Sequence, residues 1–310
     1  MNGYGDKKQV SVVCSRYMVQ YMNIRSVLYS AALDLERHGS ATPRLDAEIL
    51  LSHCMMTDRI GLYTHPGKIP TEEELRRFQE WITRRCAKEP VAYIIGQKEF
   101  WSLSFEVTPD VLIPRPETEV LVETILCEYP VRNCEGLMIL EIGTGSGAIS
   151  VALASELKGA TIVATDISQR ALSVAIKNAG SNKVEHQISF RRGSLFEPVS
   201  EKFDIIVSNP PYVSEEEFDS LPLGVRGFEP RSALVSGMGG TAFHRQIMSE
   251  GVRYLKEHGK IFLEMGSDQK GRIAGISEEL NFYEDIAFIP DYAGNMRVFK
   301  ARRRKDISIG

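Results

Sequence analysis

The sequence predicts an α/β protein: a mostly parallel sheet with helices on both faces, preceded by a small helical domain and a β-hairpin linker. Three observations carry that reading. Beyond Pro114, short apolar runs alternate with segments of helical spacing, a βαβα rhythm. Residues 21–90 show the helical spacing alone. Between them, apolar residues at Phe100, Leu103, Phe105 and Val107 alternate with polar ones, as paired strands do.

Taken in order, "IRSVLYSAALDLERHG" reads as a first helix stopped by Gly39, and "PRLDAEILLSHCM" as a second that opens on Pro43. "TEEELRRFQEWITRRCAKE" has Thr71 followed three residues later by Glu74, a capping box, and stops before Pro90. Residues 91–113 are the hairpin linker, and residues 114–302 the larger domain. There "LMILEI", "TIVATD", "HQISFR", "FDIIVS" and "GKIFLEM" are strands, with "GAISVALASEL" and "SQRALSVAIKNAG" as helices between the first three. Residues 1–20 read as an adaptable or disordered extension, and residues 303–310 as a solvated basic tail.

A chain of 310 residues has room for two cores, and 43% hydrophobic with 25% charged residues is ordinary for a globular protein. The formal charge of −4 and pI near 6.0 argue against a nucleic-acid requirement, since phosphate neutralisation needs a basic excess. No apolar run nears the roughly 18 residues of a membrane span, and no secretory core is evident. Five cysteines without a Cys-x-x-Cys pair fit reduced thiols in the cytoplasm, and no metal site is expected.

The first chemical signal is "LEIGTGSGAIS". Gly143, Gly145 and Gly147 lie between a strand and a helix, where their lack of a Cβ lets the turn close and a ligand approach the backbone. Thr144 and Ser146 stand between them. Asp166 ends the next strand, about 20 residues on, where an acid can take ribose hydroxyls. That spacing also suits a nicotinamide or flavin. The tighter G-x-G-x-G, with an acid before it, resembles S-adenosylmethionine methyltransferases. Glu141 is then placed to hold the methionine ammonium.

The second signal is "SNPPYV", directly after the strand "FDIIV". Two prolines cannot continue a ladder; they stiffen the chain and remove backbone donors. Asn209 can offer its amide oxygen and Pro210 its carbonyl to the two N–H bonds of a planar amino group, while Tyr212 stacks on it. A carboxamide and the exocyclic amine of adenine both satisfy that geometry.

Residues from about 23 to 300 resemble the HemK/PrmC-type release factor glutamine N5-methyltransferases. The resemblance rests on "RLDAEILL", "EPVAYIIGQKEFW", "VLIPRPETEVLVE", "LEIGTGSGAIS", "ATDIS", "FDIIVSNPPYV", "FEPRSAL" and "LEMG" together. It implies a Rossmann-like methyltransferase domain acting on the glutamine of the Gly-Gly-Gln motif in peptide chain release factors 1 and 2. S-adenosylmethionine would be held by Gly143 to Gly147 and Asp166, and the glutamine by Asn209, Pro210, Pro211 and Tyr212, with Asn209 also near the cofactor. The loop from Pro114 to Glu119, with Arg115 and Glu117, would line the cofactor pocket, and the helical domain would dock the release factor. Ser194 stands where the family commonly has an acid, leaving Leu195 and Phe196 as apolar pocket candidates. A ribosomal-protein glutamine and nucleic-acid adenine are the alternative substrates.

Overall fold

The computed structural model describes residues 22–129 and 134–305 and divides at Ile95/Gly96 into two units. The predicted extension of residues 1–20 lies outside the described residues.

The first unit is helical: α1 (Ile24–Arg37), α2 (Pro43–Cys54), α3 (Arg59–Thr64), α4 (Glu72–Cys86) and α5 (Val91–Ile95). Local chemistry sets the starts. Asn23 caps α1 by accepting from Ser26 N at 3.0 Å. The capping box of α4 is closed both ways, with Thr71 N donating to Glu74 and Glu74 N donating to Thr71 Oγ1 at 3.2 Å. Ile24, Leu28, Leu50, Leu51 and Phe78 are its core. The predicted linker differs here: Val91–Ile95 is a helical turn in this unit, with Ile94 buried in that core, so the hairpin begins only at Gln97.

The second unit opens with that hairpin, β1 (Gln97–Phe100) and β2 (Leu103–Glu106). Trp101 and Ser102 both have positive φ, the conformation a two-residue hairpin turn demands. Helix α6 (Glu119–Glu128) follows, then β3 (Met138–Ile142), α7 (Ala148–Glu156), β4 (Thr161–Asp166), α8 (Gln169–Ser181), β5 (Ile188–Arg192) and β6 (Phe203–Ser208). Short turns lead to α9 (Ala242–Gly251), β7 (Leu255–Glu264), α10 (Lys270–Leu280), β8 (Tyr283–Pro290) and β9 (Met296–Arg303). Strands β3 to β9 form one sheet in the order β5-β4-β3-β6-β7-β9-β8, parallel except that β9 runs antiparallel to both its neighbours.

Alternation along the strands divides the core in two. Ile139, Ile205 and Phe262 pack with α6 and α7; Leu140, Ile206 and Leu263 pack with α9 and α10. Chain order reverses at β3, so the crevice between the carboxyl ends of β3 and β6 is the topological switch point. Of the predicted basic tail, Arg303 belongs to β9 and residues 306–310 lie outside the described residues. Backbone pairing wins over charge, since Ala301–Arg303 complete β9, Arg303 pairs with Tyr283, and Arg302 meets Asp285 at 2.7 Å.

Candidate active site

At the switch point lies a cavity of about 620 Å³. Two turns build its floor, one from each of the central strands.

The first turn runs from Gly143 to Gly147, between β3 and α7. The N–H groups of Gly143 and Thr144 both donate to Thr165 O at 2.9 Å, folding the turn over the end of β4. Gly147 has φ +81°, and a Cβ there would meet Ala175 Cβ at 3.1 Å, so the position suits glycine on both counts. Gly143, Thr144, Gly145 and Ser146 line the cavity, whereas Gly147, packed against Ala175, does not. Asn178 steadies the turn from behind by donating to Ser146 O at 2.8 Å.

Asp166, at the end of β4, accepts from Gly145 N at 2.9 Å and from Ser168 N at 2.8 Å. Burial raises its pKa against the pull of these backbone donors. The carboxylate still lines the cavity and, with about four lone-pair sites, has acceptor capacity to spare for hydroxyls. Glu141 is 1% exposed in the middle of the sheet. Its Oε2 accepts from Thr144 Oγ1 at 2.7 Å, from Ser150 N at 3.1 Å and from Ser150 Oγ. Desolvation nevertheless pushes its pKa up to about 7. A buried carboxyl beside a cavity, poised in this way, is suited to an incoming cation.

The second turn is Asn209-Pro210-Pro211, which follows β6 and lines the cavity opposite the glycines. Ser208 Oγ donates to Ile142 O at 2.7 Å and so pins the end of β6 to the end of β3. Asn209 Nδ2 donates to Thr118 Oγ1 at 3.2 Å. Tyr212 sits differently from the expectation. It is not on the cavity wall: its hydroxyl donates to Glu264 Oε1 at 3.3 Å, and Gln269 Nε2 donates to its carbonyl at 2.7 Å.

Of the loop from Pro114 to Glu119, the residues Pro114, Arg115 and Thr118 line the cavity, whereas Glu117 does not. Arg115 is anchored by Glu229 at 2.5 Å, a carboxylate only 6% exposed that also accepts from Ile113 N. Leu195 and Ser194 are on the wall. Phe196 differs from the expectation: it faces away into the core and stacks on Tyr254 with ring centroids 4.6 Å apart. The positive φ of Leu195 (47°) turns the chain between the two side chains. Reading the sequence did not single out Ser150, Ser208, Glu229 or Glu264. Glu229 and Glu264 stand within "FEPRSAL" and "LEMG", and Glu264 is also a charged residue at the end of an apolar strand, as in "IFLEM".

Residues 26–96 match the PrmC N-terminal domain family, and residues 116–221 match the methyltransferase small domain. The release factor glutamine methyltransferase of Rhodopirellula baltica is 40% identical over 271 residues, covering 86% of this chain and 92% of the relative. That of Aliivibrio fischeri is 41% identical over 279 residues, covering 89% of this chain and 96% of the relative. The chain belongs to the release factor glutamine methyltransferase family. The crystal structure of the hMettl16 catalytic domain in complex with the MAT2A 3′UTR hairpin 1 superposes with a TM-score of 0.53. It covers 77% of this chain and 84% of that one at 17% identity, a likeness of fold alone.

A release factor glutamine methyltransferase takes its methyl group from S-adenosylmethionine, and the cavity suits that donor. Glycines without a Cβ at the turn, an acid at the end of β4, a buried acid at β3 and an apolar side chain at Leu195 have the chemistry that its backbone-hugging, hydroxyl, cationic and aromatic parts call for. Among the described residues, no helix is long and apolar enough to cross a membrane.

Proposed function

We propose that this chain methylates the side-chain amide nitrogen of the glutamine in the Gly-Gly-Gln motif of release factors 1 and 2, in the cytoplasm. Asn209 and Pro210 serve as the acceptors that hold that amide. The observation that carries the reading is the placement of Asn209, Pro210 and the glycine turn around one cavity at the switch point.

When bound, S-adenosylmethionine supplies an electrophilic methyl group on a sulfonium. The work left to the protein is to present a poor nucleophile. A carboxamide nitrogen shares its lone pair with the carbonyl and resists attack on carbon. Asn209 Oδ1 and the Pro210 carbonyl accept its two N–H bonds, fix the nitrogen in line, and favour the positive charge that develops there. Pro210 and Pro211 have no N–H to compete for those acceptors. The methylated nitrogen is strongly acidic and loses its proton to water, so no dedicated base is needed. Gly143, Thr144, Gly145, Ser146, Asp166, Glu141, Leu195 and Arg115 would hold the cofactor. Tyr212 braces the elbow through Glu264. The helical domain, residues 21–90, docks the release factor.

The test is intact mass and peptide mapping of purified release factors 1 and 2 after incubation with the protein and S-adenosylmethionine. One methyl on the Gly-Gly-Gln glutamine is expected. A methyl on a ribosomal protein or an adenine oligonucleotide instead would keep the chemistry and discard the partner. Transfer to none of them would leave a cofactor-binding scaffold.

A further inference from the structure

Both ends of the elbow lead to one buried carboxylate. Asn209 Nδ2 donates to Thr118 Oγ1, and Thr118 is itself only 4% exposed. The Thr118 hydroxyl is also close enough to the carboxylate of Glu264 to favour its ionised form, although no hydrogen bond joins the two in this conformation. Tyr212 donates to Glu264 Oε1 from the other side. Glu264 ends β7, is wholly buried, and its Oε2 makes no hydrogen bond of normal length among the described residues. A proton from Thr118 therefore has an acceptor waiting.

A hydroxyl carries one proton, and an ionised carboxylate can only accept. If Thr118 gives its proton to Glu264, it must accept from Asn209. Only one orientation of the amide then works, with Nδ2 towards Thr118 and Oδ1 left for the cavity. An amide turned over would set its NH₂ against the N–H bonds of the substrate, donor against donor. A protonated Glu264 lifts the constraint, because it can donate to Thr118 and free the Thr118 proton for Asn209 Oδ1.

We infer that Thr118 and Glu264 are positioning residues that lock the Asn209 amide with its oxygen facing the substrate, and that Glu264 does this as a carboxylate. The inference rests on the reading of Asn209 as an acceptor given above.

The groups that face Glu264 bear on its charge. Arg297 from β9 is the opposing charge, and Glu117 a like one; Tyr212 hydrogen-bonds it and the Thr118 hydroxyl lies nearby. His244 from α9 hydrogen-bonds the Glu264 main-chain carbonyl at 2.7 Å and, its pKa lowered to about 4 by burial, is neutral. Burial dominates and raises Glu264 to about 7, so the ionised, locking form gains as pH rises through neutrality.

Thr118→Val keeps the shape and removes the hydroxyl; Thr118→Ser keeps the hydroxyl and removes a methyl. Thr118→Val should lower kcat on the release factor by about tenfold or more, with cofactor affinity by calorimetry unchanged. Thr118→Ser should recover most of that loss. The wild-type kcat should rise with pH through about 7, and Glu264→Gln should be slower and flat across that window. In parallel, NMR of the Asn209 side-chain amide protons should show slow exchange in the wild type and Thr118→Ser and faster exchange in Thr118→Val. If Thr118→Ser is as slow as Thr118→Val, or Glu264→Gln keeps the wild-type rate and profile, the lock is overturned and Thr118 merely packs. A wild type inactive on release factors, with the same NMR contrast, would overturn the proposed substrate and keep the lock.

Discussion

The glycine turn after β3 and the proline elbow after β6 face each other across one crevice, yet they are held in opposite ways. The turn is a matter of backbone: positive φ at Gly147, main-chain donors into Thr165 O, and an acid 21 residues from the glycine it accepts from. The elbow has few backbone bonds to lean on, because its prolines lack donors. Its side chains are held from afar instead, Asn209 by Thr118 and Tyr212 by Glu264. The proposed cofactor side is thus a local fold of the chain, and the proposed substrate side a convergence of separate elements. Loss of a group on the first side should weaken binding, and loss on the second should slow chemistry.

The largest effect that separates the two belongs to Asn209→Ala. Losing an acceptor aimed at developing charge should cut kcat by about 10² to 10³. Calorimetry should find cofactor affinity within about threefold of the wild type, since among the described residues no hydrogen bond joins Asn209 to the glycine turn. A matched loss of affinity would erase the division between the two sides.

That division also governs how much could be read from the sequence. The alternating elements, the capping box at Thr71 and the glycine turn are encoded by neighbours in the chain, so the residues nearby declare them. The acid at Asp166 follows from the length of one βα unit. Arg115 was legible as part of a loop, but the carboxylate that anchors it, Glu229, is 114 residues away. Thr118 is 91 residues from Asn209, and no spacing rule reaches that far. Phe196 was misplaced because one residue of positive φ, Leu195, decides which of two adjacent apolar side chains meets the cavity. Helix periodicity likewise does not announce that Ser150 turns its hydroxyl towards Glu141.

On the cofactor side, Asp166→Ala should reverse the pattern of Asn209→Ala. Hydrogen bonds to a charged group of this kind support a loss of about 10- to 100-fold in cofactor affinity, with kcat at saturating cofactor largely kept. Equal affinity would remove Asp166 from the site. Gly147→Ala sharpens the claim that backbone shape holds this side. Its φ of +81° and the 3.1 Å approach to Ala175 Cβ should cost about 1–3 kcal/mol of unfolding free energy, measured by urea denaturation. An unchanged midpoint would mean the turn relaxes without strain.

The smallest expected effect tests whether even the side chains of the cofactor side are tuned locally. Ser150 supplies Glu141 Oε2 with both a main-chain and a hydroxyl donor, and each favours the ionised form. Ser150→Ala keeps the first and removes the second, so the pKa of Glu141, already raised to about 7 by burial, should climb further. Near neutral pH less of the carboxyl is then ionised, and affinity for a cofactor bearing an ammonium should fall a few-fold. As pH rises, Glu141 ionises in both proteins and the gap should close. The ammonium of the ligand titrates as well, but identically in the two experiments, so the ratio of affinities isolates Glu141. The raised pKa has a second consequence, for folding. Glu141 binds its proton more tightly in the folded protein than at its ordinary value of 4.5, so this contribution to stability is whole below about pH 4.5 and lost as pH rises through about 7. In Ser150→Ala that loss should move to higher pH. An affinity ratio constant across the range would show that Glu141 does not meet the ammonium, and would leave the glycine turn and Asp166 as the whole of the cofactor grip.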